Sequence, residues 1–488
     1  MIGKWMGAIA LVGLAASTAS AQSAQAVITA ASRAMGAENL NSISYYGSGA
    51  NFGLGQSNNA NGEWPRTNLS DYVRAIDFAQ PASRHTAATL AAPVTGGPAV
   101  QGLNQQTITP ANQAWAQQLE IWITPWGFLK GAAANNATVR SQNVNGRRMN
   151  VVTWMTTQKA PSGASYRVVG YINPQNLVER VETWLENPVF GDMHVEASYS
   201  QYRQASGGVM YPATIVQRRG GAPVFEAQIL GATANPANLQ ALLTPPPPPA
   251  GRAGGPPAGG PPAAPAVASE KLADGVFRIT GGYVALAVEF ADHIFLFEPG
   301  PQNEARAQAI MAEARRVIPN KPIRYGVISH HHFDHTSGLS AVVGEGVTIV
   351  THEANKAFLT RALSAARTLA PDAIAKSGKK PVIETVGEKR VFQDATRTVE
   401  VHLVKGLPHA DGMLFAYLPK EKVVAFADMF NLPPAATPVP NPPVVGTQIM
   451  VENFERLGIA YDSLISVHAP NPDRPIGRTD VLASLGRK

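Results

Sequence analysis

The chain has 488 residues, of which 45% are apolar and 15% charged, and a formal net charge of +6. That length exceeds one ordinary domain, and that apolar content excludes a disordered chain. The charge is a mild excess, no Lys/Arg run exceeds two residues, and no cysteine is present. The mild charge argues against a nucleic-acid footprint, and the lack of cysteine excludes disulfides, thiolate catalysis and Cys-ligated zinc.

The chain opens as an export signal. Lys4 precedes an apolar run from Met6 to Ala16, and Ala19-Ser20-Ala21 supplies small residues for cleavage before Gln22. The apolar run is too short to cross a bilayer, which takes about 20 residues. A signal peptide over 1–21 is expected, with a periplasmic or secreted mature protein and no membrane span. No cysteine follows the cleavage site, so a lipid anchor is excluded.

A β-rich N-terminal domain is expected over 22–243. A helix near Ala24 to Met35 comes first. Arg180 to Trp184, His194 to Tyr199 and Ala213 to Arg218 alternate apolar and polar residues, as half-buried antiparallel strands do. Gly207-Gly208 and Gly220-Gly221 mark tight turns between strands. The run Tyr202 to Gln217 loosely resembles a strand-turn-strand of periplasmic lipoprotein-carrier sheets, which implies an apolar ligand for this domain. Trp122-Ile-Thr-Pro-Trp126 is read as core before it is read as the lining of an apolar groove.

Residues 244–267 form the next segment, and 245–265 contain ten prolines. Such a stretch cannot bury apolar surface and reads as a semi-rigid spacer. Nine of the eleven histidines lie beyond it. A second domain is expected over 268–488, and it holds every residue expected to bind metal.

Ile323 to Ser329 reads as a strand and ends directly in His330-His331-His332-Phe333-Asp334-His335. Alternate residues at a strand exit point the same way, so His330 and His332 can grip one metal. Asp334 and His335 follow in the turn and can face a neighbouring metal. Three later strand patterns supply further donors: Val399 to Val404 leads to His409, Val423 to Ala427 to Asp428, and Leu464 to Val467 to His468. His352, after the strand Val347 to Val350, and His402, inside a strand, read as structural.

With these motifs, residues 270 to 475 resemble the metallo-β-lactamase superfamily, whose fold is a four-layer αββα sandwich. The whole chain is then α+β. The resemblance implies a first zinc on His330, His332 and His409, and a second on Asp334, His335 and His468. It also implies that Asp428 bridges the two, with a hydroxide between the metals as nucleophile and Asp334 orienting it as a catalytic residue. Donors without thiolate suit zinc, with iron or manganese as alternatives. Two such ions activate water and polarise a carbonyl or phosphoryl group.

Two departures from the family pattern, and one residue that divides its branches, bear on function. Glu298-Pro299-Gly300 stands where relatives have Asp-Thr-Gly, so Glu298 is expected to support a ligand from behind, unless it is a plain turn residue. Leu407-Pro-His409-Ala-Asp411 replaces Pro-Gly-His-Thr, with Asp411 in the same supporting class. Asp428 stands where zinc β-lactamases carry Cys or Ser and where glyoxalase II, lactonases, phosphodiesterases and alkylsulfatases carry Asp. Met429, Phe430 and Asn431 precede a proline-rich loop and are expected to line a substrate pocket, with a simple spacer as the other reading.

The resulting expectation is an exported dinuclear-zinc hydrolase that cleaves an ester, thioester, lactone or amide bond of a small molecule. The alternatives are β-lactamase activity, metal-dependent oxidation of a sulfur substrate, or a lipid- or polymer-binding protein with a secondary metal domain.

Overall fold

The structure is a computed structural model and describes residues 23–91, 100–109, 114–246, 266–433, 439, 443–470 and 473–487. The expected signal peptide, nearly all of the proline-rich spacer and most of the proline-rich loop after Asn431 lie outside those residues. Among the described residues no helix is long and apolar enough to cross a membrane.

Eleven antiparallel strands form one N-terminal sheet. Ser42–Phe52 lies near its middle, with Arg66–Asp77, Ala82–Ala91 and Val100–Ile108 running out to one edge. Its other neighbour is Ala222–Ala234, from which the strands run back in reverse chain order to Thr138–Val144 at the far edge. The half-buried strands expected from alternation fall inside Val178–Asn187, Gly191–Gln204 and Met210–Arg219. Gly207-Gly208 and Gly220-Gly221 all have positive φ, which a tight hairpin turn needs and glycine adopts without strain.

One face of this sheet is covered by helices. Ala24–Ala34 starts at Ser23, whose hydroxyl accepts from the Ala26 amide. Pro125–Ala134 starts at Thr124, whose hydroxyl accepts from the Gly127 amide, and Pro125 occupies the first turn where its missing N–H costs nothing. The tryptophan-rich segment therefore begins a helix. Trp126 is fully buried in the sheet's core and donates from Nε1 to the Met210 carbonyl.

The C-terminal part holds two sheets. The first has seven strands, in the order Ala268–Ala273, Val276–Gly281, Tyr283–Glu289, Ile294–Phe297, Ile323–Val327, Thr348–His352, Ile383–Val386. Its last four strands are mutually parallel. Ile294–Phe297 is buried at every position, as a strand covered on both faces must be. The second sheet has six strands, in the order Lys389–Gln393, Thr398–Leu403, Leu414–Leu418, Val423–Phe426, Ser463–Ser466, Ile476–Gly477.

Three apolar clusters fill this part. One joins the first sheet to helices through Ile279, Leu296, Ile310, Val342 and Leu359. A second joins residues of both sheets, including Phe295, Val327, Val401, Ala416 and Ile465. A third joins the second sheet to the helix Val445–Leu457 through Phe415, Phe426, Met450 and Phe454. In the helix Glu304–Val317, Ala307, Ile310, Met311 and Ala314 follow the 3.6-residue period and supply its buried face. Arg306 is also fully buried there and donates to the carbonyls of Gly281 and Tyr283 at 3.2 and 2.8 Å.

Candidate metal centre

The site lies where strands of the two C-terminal sheets end. Ile323–Val327 delivers His330 to His332, and the one-turn helix Phe333–Thr336 carries Asp334 and His335. Thr398–Leu403 leads to His409, Val423–Phe426 to Asp428, and Ser463–Ser466 to His468. Chain segments far apart in sequence therefore converge.

Among the described residues, three groups of side chains could each hold a metal ion, with their donor atoms within 4.8 Å of one another: His330, His332 and His409; His330, His335 and Asp428; Asp334, His335 and His468. The first and third are the two ligand sets implied by the resemblance. Asp428 stands between them. Its Oδ2 is 2.9 Å from His335 Nε2 and 3.7 Å from His330 Nε2. Its Oδ1 is 2.9 Å from His468 Nε2 and 3.9 Å from His409 Nε2.

The donor set fits a cation. Nε2 of His330, His335, His409 and His468 and Oδ2 of Asp428 are buried without a hydrogen-bond partner of acceptable geometry. Buried polar atoms are seldom left so, and here they converge. Imidazole and carboxylate donors suit zinc, iron or manganese alike.

Electrostatics prepares most of the donors. Burial lowers the pKa of His330, His332 and His409, reaching about 3 for His332, and neighbouring imidazoles add to the effect on His330 and His332. Neutral imidazole is the form that binds metal. His335 behaves oppositely: burial opposes its charge, but Glu298, Asp334 and Asp428 together hold its pKa well above the usual range. Burial likewise opposes the charge of Asp334 and Asp428. The neighbouring His335 outweighs it at Asp334, as do His335 and His468 at Asp428, and both carboxyls stay below the ordinary range.

Glu298 is fully buried. Its Oε2 is 2.8 Å from His335 Nδ1, and its Oε1 accepts from the Ser329 amide. It thus turns the Nε2 of His335 toward the site. Glu298 and Asp428 both have left-handed φ, +59° and +53°. Such backbone costs about 1–3 kcal/mol per residue and is typical of functional positions.

Other expected site residues are placed elsewhere. Met429 and Phe430 are buried in the cluster under the helix Val445–Leu457, so they pack as core rather than line a pocket; Asn431 is exposed. The reason is that the chain turns at Asp428 and carries the next two side chains beneath the second sheet. Asp411 is held by the N-terminal loop: its Oδ2 accepts from Asn59 Nδ2 at 3.2 Å. His352 caps the helix Glu353–Leu363, and His402 Nε2 is 2.9 Å from Glu400 Oε2.

Two contributors were not legible in sequence. The Tyr283 hydroxyl donates to Asp334 Oδ2 at 3.1 Å, and its ring packs on His468 with centroids 4.5 Å apart. Residues Gly55 to Asn59 of the N-terminal sheet's first loop reach the motif, with Gln56 Nε2 donating to Asp334 Oδ1 at 2.9 Å. A tyrosine that opens a strand and a polar loop far upstream carry no local signal of metal chemistry.

Residues 280–449 match the family model of the metallo-beta-lactamase superfamily. The matched stretch holds the histidine motif that resembles that superfamily; His468 lies beyond it. No curated protein matches the chain. Among solved structures the chain is similar to a metallo-beta-lactamase from Pontibacter korlensis, at 17% identity over 45% of this chain and 98% of that one, with a TM-score of 0.34. It is similar to one from Erythrobacter litoralis, at 18% identity over 45% and 95%, with a TM-score of 0.32. It is also similar to the flavodiiron protein from Giardia intestinalis, at 14% identity over 45% and 58%, with a TM-score of 0.33.

Proposed function

We propose that the protein is a metal-dependent hydrolase with a dinuclear centre that takes zinc, and that it cleaves an ester, thioester, lactone or amide bond of a small molecule. One observation carries this reading: two sets of imidazole and carboxylate donors meet at Asp428, and Nε2 of His330, His335, His409 and His468 is buried with no hydrogen-bond partner of acceptable geometry among the described residues. We read the three C-terminal cores as an αββα four-layer sandwich, with 22–243 and 268–488 as two domains joined by 244–267.

His330, His332 and His409 would hold one cation, Asp334, His335 and His468 the other, and Asp428 both. Bound there, two divalent cations supply Lewis acidity and make water a competent nucleophile near neutral pH. The protein's own residues do the rest. Asp334 stays ionised, and its oxygens are fixed by Gln56 and Tyr283, so it can accept a proton of the attacking water and orient it. Glu298 stabilises His335 in one orientation, and His335 must lose its Nε2 proton as a cation enters. We also propose export, with cleavage after Ala21, on the sequence of residues 1–21 alone; the mass of the mature chain from its native host tests it.

The function is tested by metal analysis after dialysis against zinc, iron and manganese, followed by ester, thioester, lactone and amide substrates. Two equivalents of metal and metal-dependent hydrolysis are expected. Nitrocefin turnover in preference to those substrates would favour a β-lactamase, and oxygen consumption by the iron-loaded protein a sulfur oxidation. A chain that binds less than one equivalent overturns the reading.

A further inference from the structure

The loop between Ser42–Phe52 and Arg66–Asp77 leaves the N-terminal sheet and lies on the metal motif of the C-terminal part. The Gly55 carbonyl accepts from the Phe333 amide at 3.1 Å. The Ser57 carbonyl accepts from Nε2 of His331 at 2.8 Å and from Nε2 of His332 at 3.0 Å. Asn58 donates from its side chain to the Pro408 carbonyl, and its own carbonyl accepts from the Asp411 amide at 2.6 Å. Asn59 Nδ2 reaches Asp411 Oδ2 at 3.2 Å. Candidate ligands on two segments, His332 and Asp334 on one and His409 on the other, are thus bracketed by one loop.

The chemistry of these contacts is directional. A carbonyl oxygen only accepts, so Nε2 of His332 must carry its hydrogen. A neutral imidazole protonated at Nε2 has its lone pair at Nδ1. His332 therefore offers Nδ1 to a metal, whereas His330, His335, His409 and His468 leave Nε2 unpartnered. The acceptor is Ser57, so that choice is made by a residue of the N-terminal part. In the same way a carboxylate only accepts, so the amide of Gln56 donates from Nε2 and holds Asp334 Oδ1 while Tyr283 holds Oδ2.

We propose that this N-terminal loop is a working part of the metal centre: the Ser57 carbonyl selects the tautomer of His332, and Gln56 is a positioning residue that fixes Asp334. The proposal rests on the reading of the site as a metal centre and extends it to a region whose role the sequence leaves open. Outer partners of this kind orient a ligand and raise its affinity for metal, and their loss costs about 10- to 100-fold.

The geometry supplies two independent variants. Gln56→Ala removes one amide at a half-exposed position. Gly55→Ala displaces the loop: a Cβ there would lie 2.2 Å from the Phe333 ring, and the residue has φ of +77°. Both are made in the full chain and titrated with cobalt, read by its visible absorption, and the metal-free melting temperature is measured alongside. Wild type should bind two cobalt ions. Gln56→Ala should weaken one of them about 10- to 100-fold and alter its spectrum, with the other ion and the metal-free melt unchanged. A merely structural residue would instead lower the melt and weaken both ions equally. In metal-free protein, imidazole nitrogen shifts should report His332 as the Nε2–H tautomer in wild type and as a mixture in Gly55→Ala. Two ions bound as in wild type by Gln56→Ala, or His332 unchanged in Gly55→Ala, overturns this proposal alone. A wild-type chain that binds no cobalt overturns it together with the metal-centre reading.

Discussion

Asp428 illustrates how much one residue can be asked to do. It sits in left-handed backbone at the end of a buried strand and places both oxygens among four imidazoles. Replacing it by alanine removes the carboxylate whose two oxygens lie among those imidazoles. Asp428→Ala should lower metal content from two ions towards one or none, and reduce turnover at least about 10³-fold, the scale on which a central electrostatic group is felt. Metal analysis and initial rates check it; near-normal turnover with two ions retained would reduce Asp428 to a strand-end residue. Arg306 acts at a distance from the chemistry. Its guanidinium ties the carbonyls of Gly281 and Tyr283 to the helix behind them, and burial lowers its pKa to about 10, still charged at neutral pH. Arg306→Met keeps the aliphatic stem and strands those carbonyls in an apolar core. A loss of about 3 kcal/mol is expected in denaturant unfolding of the metal-free chain, from buried acceptors left unmet.

At the scale of elements, the N-terminal sheet carries a buried polar network that is separate from the metal site. Arg74 lies on Arg66–Asp77 and reaches Tyr72, Ser83 and His85, with Glu120 of the helix Trp115–Trp122 3.5 Å away. His85 Nδ1 is 2.8 Å from Arg74 Nη2, and its Nε2 is 2.7 Å from Asn104 Oδ1. The guanidinium can only donate, so Nδ1 must accept and the ring must be neutral. Burial, followed by the charge of Arg74, lowers the His85 pKa to about 4. Its folded pKa thus lies below the unfolded value of about 6.5. The unfolded chain takes up the proton first, so stability is full above about pH 6.5 and falls as pH drops towards 4. The full span amounts to about 3 kcal/mol. Urea unfolding at pH 7 and pH 5, followed by tryptophan fluorescence, should show the wild type losing more stability than His85→Gln across that interval.

Several contacts join the two parts of the described molecule, the Ser162 amide donating to the Leu369 carbonyl among them. One is the loop over the metal motif. Another is the turn at 187–192, where Asp192 accepts from the amides of Thr368 and Leu369, both at 2.9 Å, and Arg367 donates to the carbonyls of Pro188 and Val189. Phe190 from this turn packs edge-on against Phe333 of the metal motif and Phe358 of the neighbouring helix. Phe333 is therefore held from two sides by N-terminal residues, Gly55 and Phe190. Phe190→Ala should cost about 2 kcal/mol or more, at or below the range for a large aromatic, since the ring is only partly buried. It should also weaken metal binding measurably, though no atom of Phe190 approaches a donor. Calorimetry with and without metal checks both effects; an unchanged metal affinity would show that the two parts merely adjoin.

What the sequence determined by itself is whatever chemistry is written locally. His330, His332, Asp334 and His335 are neighbours in the chain, and a strand followed by a turn suffices to bring them together. His409, Asp428 and His468 each follow a short apolar run, which marks the end of a buried strand. Glu298 was legible for the same reason. Hairpin glycines and alternating strands made the N-terminal region readable as β-rich, because side-chain period and positive φ are properties of adjacent residues. The tertiary structure alone decided the rest. Met429 and Phe430 follow a candidate ligand, but the direction of the chain after Asp428 places them in core. Tyr283 and Gln56 reach Asp334 from elements 51 and 278 residues away. The group that sets the tautomer of His332 is a main-chain carbonyl, which every residue type possesses. No pattern of side chains can announce it, and only the docking of one part of the chain on the other puts it there.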